Sequence, residues 1–433
     1  MNIGAATSAV QQHEHVLFLT LLELAIIVAA GRIGGIAARR VHQSAAVGEI
    51  VIGILLGPSL FGWVAPHAFS FVFRSAPPAP LEILSSLGLI LLMFQIGLEF
   101  DFTQLARGAN RSAVLRIAVA CLVLPFASGL SLGLFLPPAG DAHARIDTAL
   151  FVATAFSITA LPILGRIMID FGMNRSRLGV IAISAAALND VVGWLLLALI
   201  TTLTVSNFDA RIFGLRVLLV ALFALVCVYL VRPTLKRIVR RSGVRPGRLP
   251  ANLLGALLVV IFLGAMATAQ IGIFAIFGGF MMGVILFDEA DLVAAWRDRV
   301  GDFVAVFFLP IFFTYTGLRT FIGGLDSAGD WGWCVAIVVL ASVSKLAGAY
   351  FAARRSGFDR AESTMLGFMM NTRALMELIV INVGLDLGVI SSKLFTMLVI
   401  MAIVSTVITT PVLRLLEKAR DTPGASAPPV APR

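Results

Sequence analysis

Thirteen stretches of about 20 mostly apolar residues follow one another along this chain, separated by short polar loops. A segment of that length crosses a hydrocarbon layer as a helix, because there every backbone N–H and C=O must be satisfied within the segment. The runs fall near 16–37, 45–65, 81–99, 113–136, 148–169, 179–203, 212–232, 251–270, 272–288, 302–322, 332–353, 363–384 and 391–415. The expected fold is an all-α polytopic membrane protein of about thirteen transmembrane helices. Only 13% of residues are charged, against roughly 25% in soluble domains.

The net charge of +9 sits in short loops between apolar runs, not on one face, so it reads as topology and not as a nucleic-acid surface. With the N-terminus outside, Arg39, Arg40, Arg107, Arg111, Arg175, Arg177, the cluster from Arg232 to Arg248, Arg297, Arg299, Arg354, Arg355 and Arg360 all fall inside. Arg74, Arg145, Arg211 and Lys393 are left outside, with Arg216 and Arg319 at span ends. The expected orientation is N-out and C-in, in a bacterial-type inner (plasma) membrane.

Several chemistries have no motif. There is no GxxxxGK[ST] for ATP, and the five histidines lie in loops or at span ends without metal-ligand spacing. Cys121, Cys227 and Cys334 sit in apolar runs as small core residues. No signal peptide and no cofactor are expected.

The sequence also repeats itself weakly. Gly53-Ile-Leu-Leu-Gly57 in the second run answers Gly279-Phe-Met-Met-Gly283 in the ninth. The end of the third, Phe94-Gln-Ile-Gly97, answers the end of the tenth, Phe313-Thr-Tyr-Thr-Gly317. Each pair is seven runs apart, an odd number, so the copies have opposite orientations: an inverted repeat, as in secondary transporters. The fifth and twelfth runs should then correspond. The fifth is interrupted at Ser157-Ile-Thr159-Ala-Leu-Pro162, where Pro removes a backbone donor. The twelfth carries Arg373 and Glu377 one turn apart inside an apolar stretch. Broken spans at matching positions point to a binding site.

The sixth run, residues 181–200, is apolar except for Asn189-Asp190 near its middle. A carboxylate at that depth costs about 2.5–3.5 kcal/mol even on the lenient insertion scale. Neutralised by a proton or by a monovalent cation, it can be carried across; it cannot hold both at once. Asp190 is therefore the candidate cation and proton site, with Asn189, Thr159 and Ser157 as further oxygen ligands. Lys345, mid-run in the eleventh stretch, needs a partner, and Asp190 is the expected one. Arg373 and Glu377 read as a charge clamp on the broken twelfth run. Glu49 is expected to line an inner vestibule. Glu23 and Gln95 are buried polar residues without an assigned role.

Phe156-Ser-Ile-Thr-Ala-Leu-Pro-Ile-Leu-Gly-Arg and Leu178-Gly-Val-Ile-Ala-Ile-Ser-Ala-Ala-Ala-Leu-Asn-Asp190 resemble the monovalent cation:proton antiporter family 2. The likeness is to its plant cation/H+ exchanger and fungal K+/H+ antiporter branch. Val47-Gly-Glu-Ile-Val-Ile-Gly-Ile-Leu-Leu-Gly-Pro-Ser, Gly97-Leu-Glu-Phe-Asp101, Leu309-Pro-Ile-Phe-Phe and Met370-Asn-Thr-Arg-Ala-Leu-Met-Glu support it. The resemblance implies a homodimer with elevator-type alternating access, in which Asp190 binds cation or proton in turn. Many relatives have two adjacent acids where this chain has Asn189-Asp190.

The expected organisation is a short tail (1–15), dimerisation spans (16–110) and core ion-binding spans (111–205) of the first repeat, and a linker helix with a basic loop (206–250). Dimerisation spans (251–325) and core spans (326–416) of the second repeat follow, then a disordered tail (417–433). The expected activity is exchange of K+ or Na+ for H+, without ATP. The alternatives are a passive monovalent cation channel and an exporter of small organic ions.

Overall fold

The computed structural model describes residues 3–41, 43–99, 111–136, 142–171, 173, 176–205, 209–373 and 375–421. Asp101, Arg107, Arg175 and residues 422–433 of the expected tail lie outside the described residues.

The described chain is helical almost throughout. It runs α1 (Ile3–Arg40), α2 (Ala45–Leu55), α3 (Phe61–Val64), α4 (Pro66–Phe73), α5 (Ala79–Glu99) and α6 (Arg111–Phe135). The first broken span follows as α7 (Ala142–Ser157) and α8 (Leu161–Asp170), and then α9 (Arg177–Val205). Next come α10 (Ala210–Val226), α11 (Arg232–Arg241), α12 (Ala251–Ile271), α13 (Ala275–Val284), α14 (Ala290–Trp296) and α15 (Leu309–Leu318). The last four are α16 (Ala328–Arg355), α17 (Arg360–Met370), α18 (Leu375–Asp386) and α19 (Ser392–Asp421).

Among the described residues nine helices are long and apolar enough to cross a membrane, or ten if the bent pair α17–α18 is one span. Four details differ from the sequence expectation. The first helix begins at Ile3, inside the stretch expected to be a tail, and α19 runs on to Asp421. The second run is no single helix: α2 stops at Leu55, just before the Gly57-Pro58 pair. The ninth is short as well, because Gly272 takes a left-handed conformation (φ +90°) that ends α12 and lets α13 start separately.

The helices pack in two groups. One contains α1, α2, α5, α12, α13 and α15; the other contains α6 to α9 and α16 to α19. In the first group the glycines of the paired sequence motifs meet. Gly57 lies on the backbone of Gly317, and Gly97 on that of Gly283. Small residues let helix backbones close up where lipid supplies no hydrophobic drive for association. Trp194 of α9 stacks on Phe280 of α13, ring centroids 6.1 Å apart, at the seam between the groups.

Candidate functional site

The two broken spans meet at their interruptions. The first opens over Ile158-Thr159-Ala160. Pro162 falls in the first turn of α8, where a missing N–H breaks no intrahelical bond. The second opens after Met370, and its halves are bent by 41°. The Ala160 N–H donates to the Thr372 carbonyl at 3.0 Å, and the Thr159 hydroxyl donates to the Met370 carbonyl at 3.3 Å. The Thr372 hydroxyl donates to Met369 at 2.8 Å. Backbone groups freed in one break are thus satisfied partly by the other, as a water-poor interior requires.

The carbonyls at the C-terminal end of α7 are met by charge. The Arg373 guanidinium donates to Ala155 and Phe156 of α7, each at 2.9 Å, and to Ala341 of α16 at 3.0 Å. It also pairs with Glu377 at 3.4 Å, both residues buried. Arg373 and Glu377 thus pair across one turn, and the guanidinium reaches beyond its own span: its contacts join α18, α7 and α16. Glu377 lies in the first turn of α18, where a negative charge opposes the positive helix end.

The expected pair of Lys345 with Asp190 is not formed. Lys345 is fully buried, and its ammonium donates to the Ser157 carbonyl and to the Cys121 carbonyl, the latter at 3.0 Å. The reason is local. The break leaves the Ser157 carbonyl without its next-turn N–H, and the negative end of α7 is a ready cation acceptor. Gly348, one turn beyond Lys345, makes this reach possible. A Cβ there would come within 2.7 Å of the Ala120 carbonyl, so α16 lies close against α6. Lys345 and Asp190 remain within Coulombic reach of each other.

Asp190 is left in an unusual position. It is 1% exposed, on the buried side of α9, and neither carboxylate oxygen has a hydrogen-bond partner among the described residues. The Leu161 N–H at the start of α8 interacts with the carboxylate without completing a hydrogen bond of good geometry. The positive end of α8 thus favours the anion. Gly193 seats α9 on the break, since a Cβ there would meet the Ile158 side chain at 2.8 Å. The amide nitrogen of Asn189 is also buried without a partner. The Ser157 hydroxyl donates to Thr154 at 2.9 Å. With their protons committed to carbonyls, the hydroxyl oxygens of Ser157 and Thr159 keep lone pairs for a cation.

Glu49 is buried at the α1–α2 contact, with Gly35 beside its carboxylate. A cavity of about 800 Å³ between α6 and α16 is apolar, lined by residues such as Val119, Val123 and Phe351, and does not include Asp190.

Two residues escaped the sequence reading. Asn371 has a buried side-chain oxygen without a partner at the second break. Its signal was its place beside Thr372 in a polar pair, matching Ser157 and Thr159 in the first break. Arg319, read only as a basic residue at a span end, crosses to α18, where it bonds Asn382 at 3.1 Å and pairs with Asp386.

The family model of the Sodium/hydrogen exchanger, transmembrane, matches residues 24–417. Over 402 residues the chain is 38% identical to the Na(+)/H(+) antiporter NhaS4 of Synechocystis sp., covering 92% of this chain and 97% of that protein. It is 36% identical over 412 residues to Cation/H(+) antiporter 17 of Arabidopsis thaliana, covering 94% of this chain and 49% of that one. It is 30% identical over 413 residues to K(+)/H(+) antiporter 1 of Saccharomyces cerevisiae, covering 92% and 46%. The chain spans about half the length of these plant and yeast relatives. Among solved structures, the sodium proton antiporter MjNhaP1 from Methanocaldococcus jannaschii has a similar fold, with a TM-score of 0.65 at 15% identity over 93% of this chain and 97% of that one.

Proposed function

This chain belongs to the sodium/hydrogen exchanger family of transmembrane proteins, and we propose that it is a secondary active transporter exchanging K+ or Na+ for H+. One observation carries this reading: Asp190 is a buried carboxylate with no side-chain hydrogen-bond partner among the described residues, beside the crossing of two broken helices. A charge so buried is costly unless something neutralises it. A proton and a cation each do so, and they exclude one another. Asn189, Ser157 and Thr159 supply further oxygens. The names of the relatives, Na(+)/H(+), K(+)/H(+) and cation/H(+) antiporters, support the same reading.

Lys345, Arg373 and Glu377 act as fixed charges. Lys345 is bound to carbonyls and not to Asp190, so it has no need to lose its proton when a cation arrives. A single exchanging carboxylate then favours one-for-one, electroneutral exchange.

The architecture proposed around this site has thirteen spans in an inverted repeat, N-out and C-in, in a cell inner (plasma) membrane. Support for the repeat comes from the short helices α2 and α13 at matching places, and from the cross-packing of Gly57 on Gly317 and Gly97 on Gly283. We assign residues 16–110 and 251–325 to a dimerisation domain of a homodimer. Residues 111–205 and 326–416 form a core that moves as an elevator, with 206–250 as linker. Glu49 lines the inner approach.

In proteoliposomes, K+ or Na+ should dissipate a preset pH gradient saturably and without net current. Asp190→Asn should abolish that flux while the protein still elutes as folded. Flux persisting in Asp190→Asn would remove Asp190 from the mechanism, and a cation current without proton movement would mean a channel.

A further inference from the structure

Away from the helix crossing, the molecule holds another buried carboxylate, one that the exchange cycle does not use. Glu23 lies near the middle of α1 and is 4% exposed. Among the described residues no hydrogen bond or ion pair reaches it. Its side chain faces a cavity of about 440 Å³, walled also by Arg74, Glu82, Tyr315, Arg319 and Asp386.

The charge in this cavity is unbalanced. Arg319 is engaged with Asp386 and Asn382, and Arg74 lies over the Phe69 ring at 5.3 Å. Against Arg74 stand two carboxylates, Glu23 and Glu82. A carboxylate taken this far from water needs a counter-charge, and a polar cavity of this volume has room for a cation with part of its hydration shell.

The position is telling as well. Glu23 and the end of α15 belong to the first helix group, and Arg74 caps α4, which packs on α1, whereas Asp386 ends α18 in the other group. The cavity therefore lies on the seam between the groups, one half-helix of 12 residues, about 18 Å, from the second break. In the proposed N-out orientation Arg74, Glu82, Arg319 and Asp386 are at the outer end, and Glu23 lies in the outer half of its span.

We propose that this cavity is a second monovalent-cation site, where the Glu23 carboxylate holds K+ or Na+ at the outer mouth of the exchange route. The site rests on the antiport reading only for its place on that route; binding itself does not depend on it. The Arg319 contact with Asp386 crosses the seam in the wall of the site and ties the two groups together there.

Equilibrium binding of radiolabelled Na+ and Rb+ to the purified full chain tests this directly. The wild type should bind two cations, Asp190→Asn one, and the Asp190→Asn, Glu23→Gln double variant none. The change to Gln is isosteric, and Glu23→Asp in the Asp190→Asn background should restore binding. If Asp190→Asn alone abolishes all binding, or if Glu23→Gln leaves the residual binding intact, the proposal fails. In oriented proteoliposomes, Glu23→Gln should raise the KM for cation supplied from the outer face about tenfold, while the KM from the inner face stays put. A shift of the outer pH profile with no change in KM would mean a proton relay and overturn the cation site. A wild type that binds two cations yet exchanges none would sink the antiport reading and leave this one standing.

Discussion

The two broken spans cross at one place but hold themselves together differently. The first, at Ile158-Thr159-Ala160, contributes no charge. Its exposed carbonyls at Ala155, Phe156 and Ser157 are met by cations brought from elsewhere, Arg373 and Lys345. The second carries Arg373 and Glu377 itself, and its carbonyls at Met369, Met370 and Thr372 are met by hydroxyls and one N–H. Both positive side chains thus end on the negative end of α7. Asp190 is left beside the positive end of α8, with no side chain hydrogen-bonded to it among the described residues. The lesson is that the crossing spends its cations on the backbone and leaves its carboxylate without a paired cation.

That asymmetry can be broken in graded steps. Arg373→Met should do most damage, since it strands Glu377 as a lone buried charge and frees three carbonyls; a loss of about 3–5 kcal/mol is expected. Lys345→Met removes a cation that has no paired carboxylate and leaves two carbonyls unmet. It should cost less, about 1–3 kcal/mol. Denaturant unfolding in detergent checks both, and a Lys345→Met loss as large as that of Arg373→Met would erase the distinction. Thr159→Val, which keeps the shape and deletes one hydroxyl bond to Met370, should cost about 1 kcal/mol. A much larger stability loss would mean the second break leans on that hydroxyl more than its geometry indicates.

The sequence carried the positions of the breaks well. Pro162 and the Arg373–Glu377 spacing are local signals, and helix interruption is a local event. Asp190 stood out because a charge in the middle of an apolar run has few explanations. What could not be read was where long side chains end. Lys345 reaches the Ser157 carbonyl, an acceptor only once α7 has opened, and the Cys121 carbonyl of α6, left free because Pro125 one turn on has no N–H, and Arg373 reaches a helix that precedes it by more than 200 positions. Arg319 looked like a topology marker because its partners, Asn382 and Asp386, lie on another span. The thirteen apolar runs were legible as hydropathy. The early stop of α2 before Gly57-Pro58 depends on backbone chemistry that hydropathy does not weigh.

The central claim is that proton and cation compete for Asp190. Purified protein in weakly buffered detergent solution, with a pH-sensitive dye, tests it most directly. Adding K+ or Na+ should release close to one proton per chain from the wild type and none from Asp190→Asn. Equal release from both proteins would contradict the account.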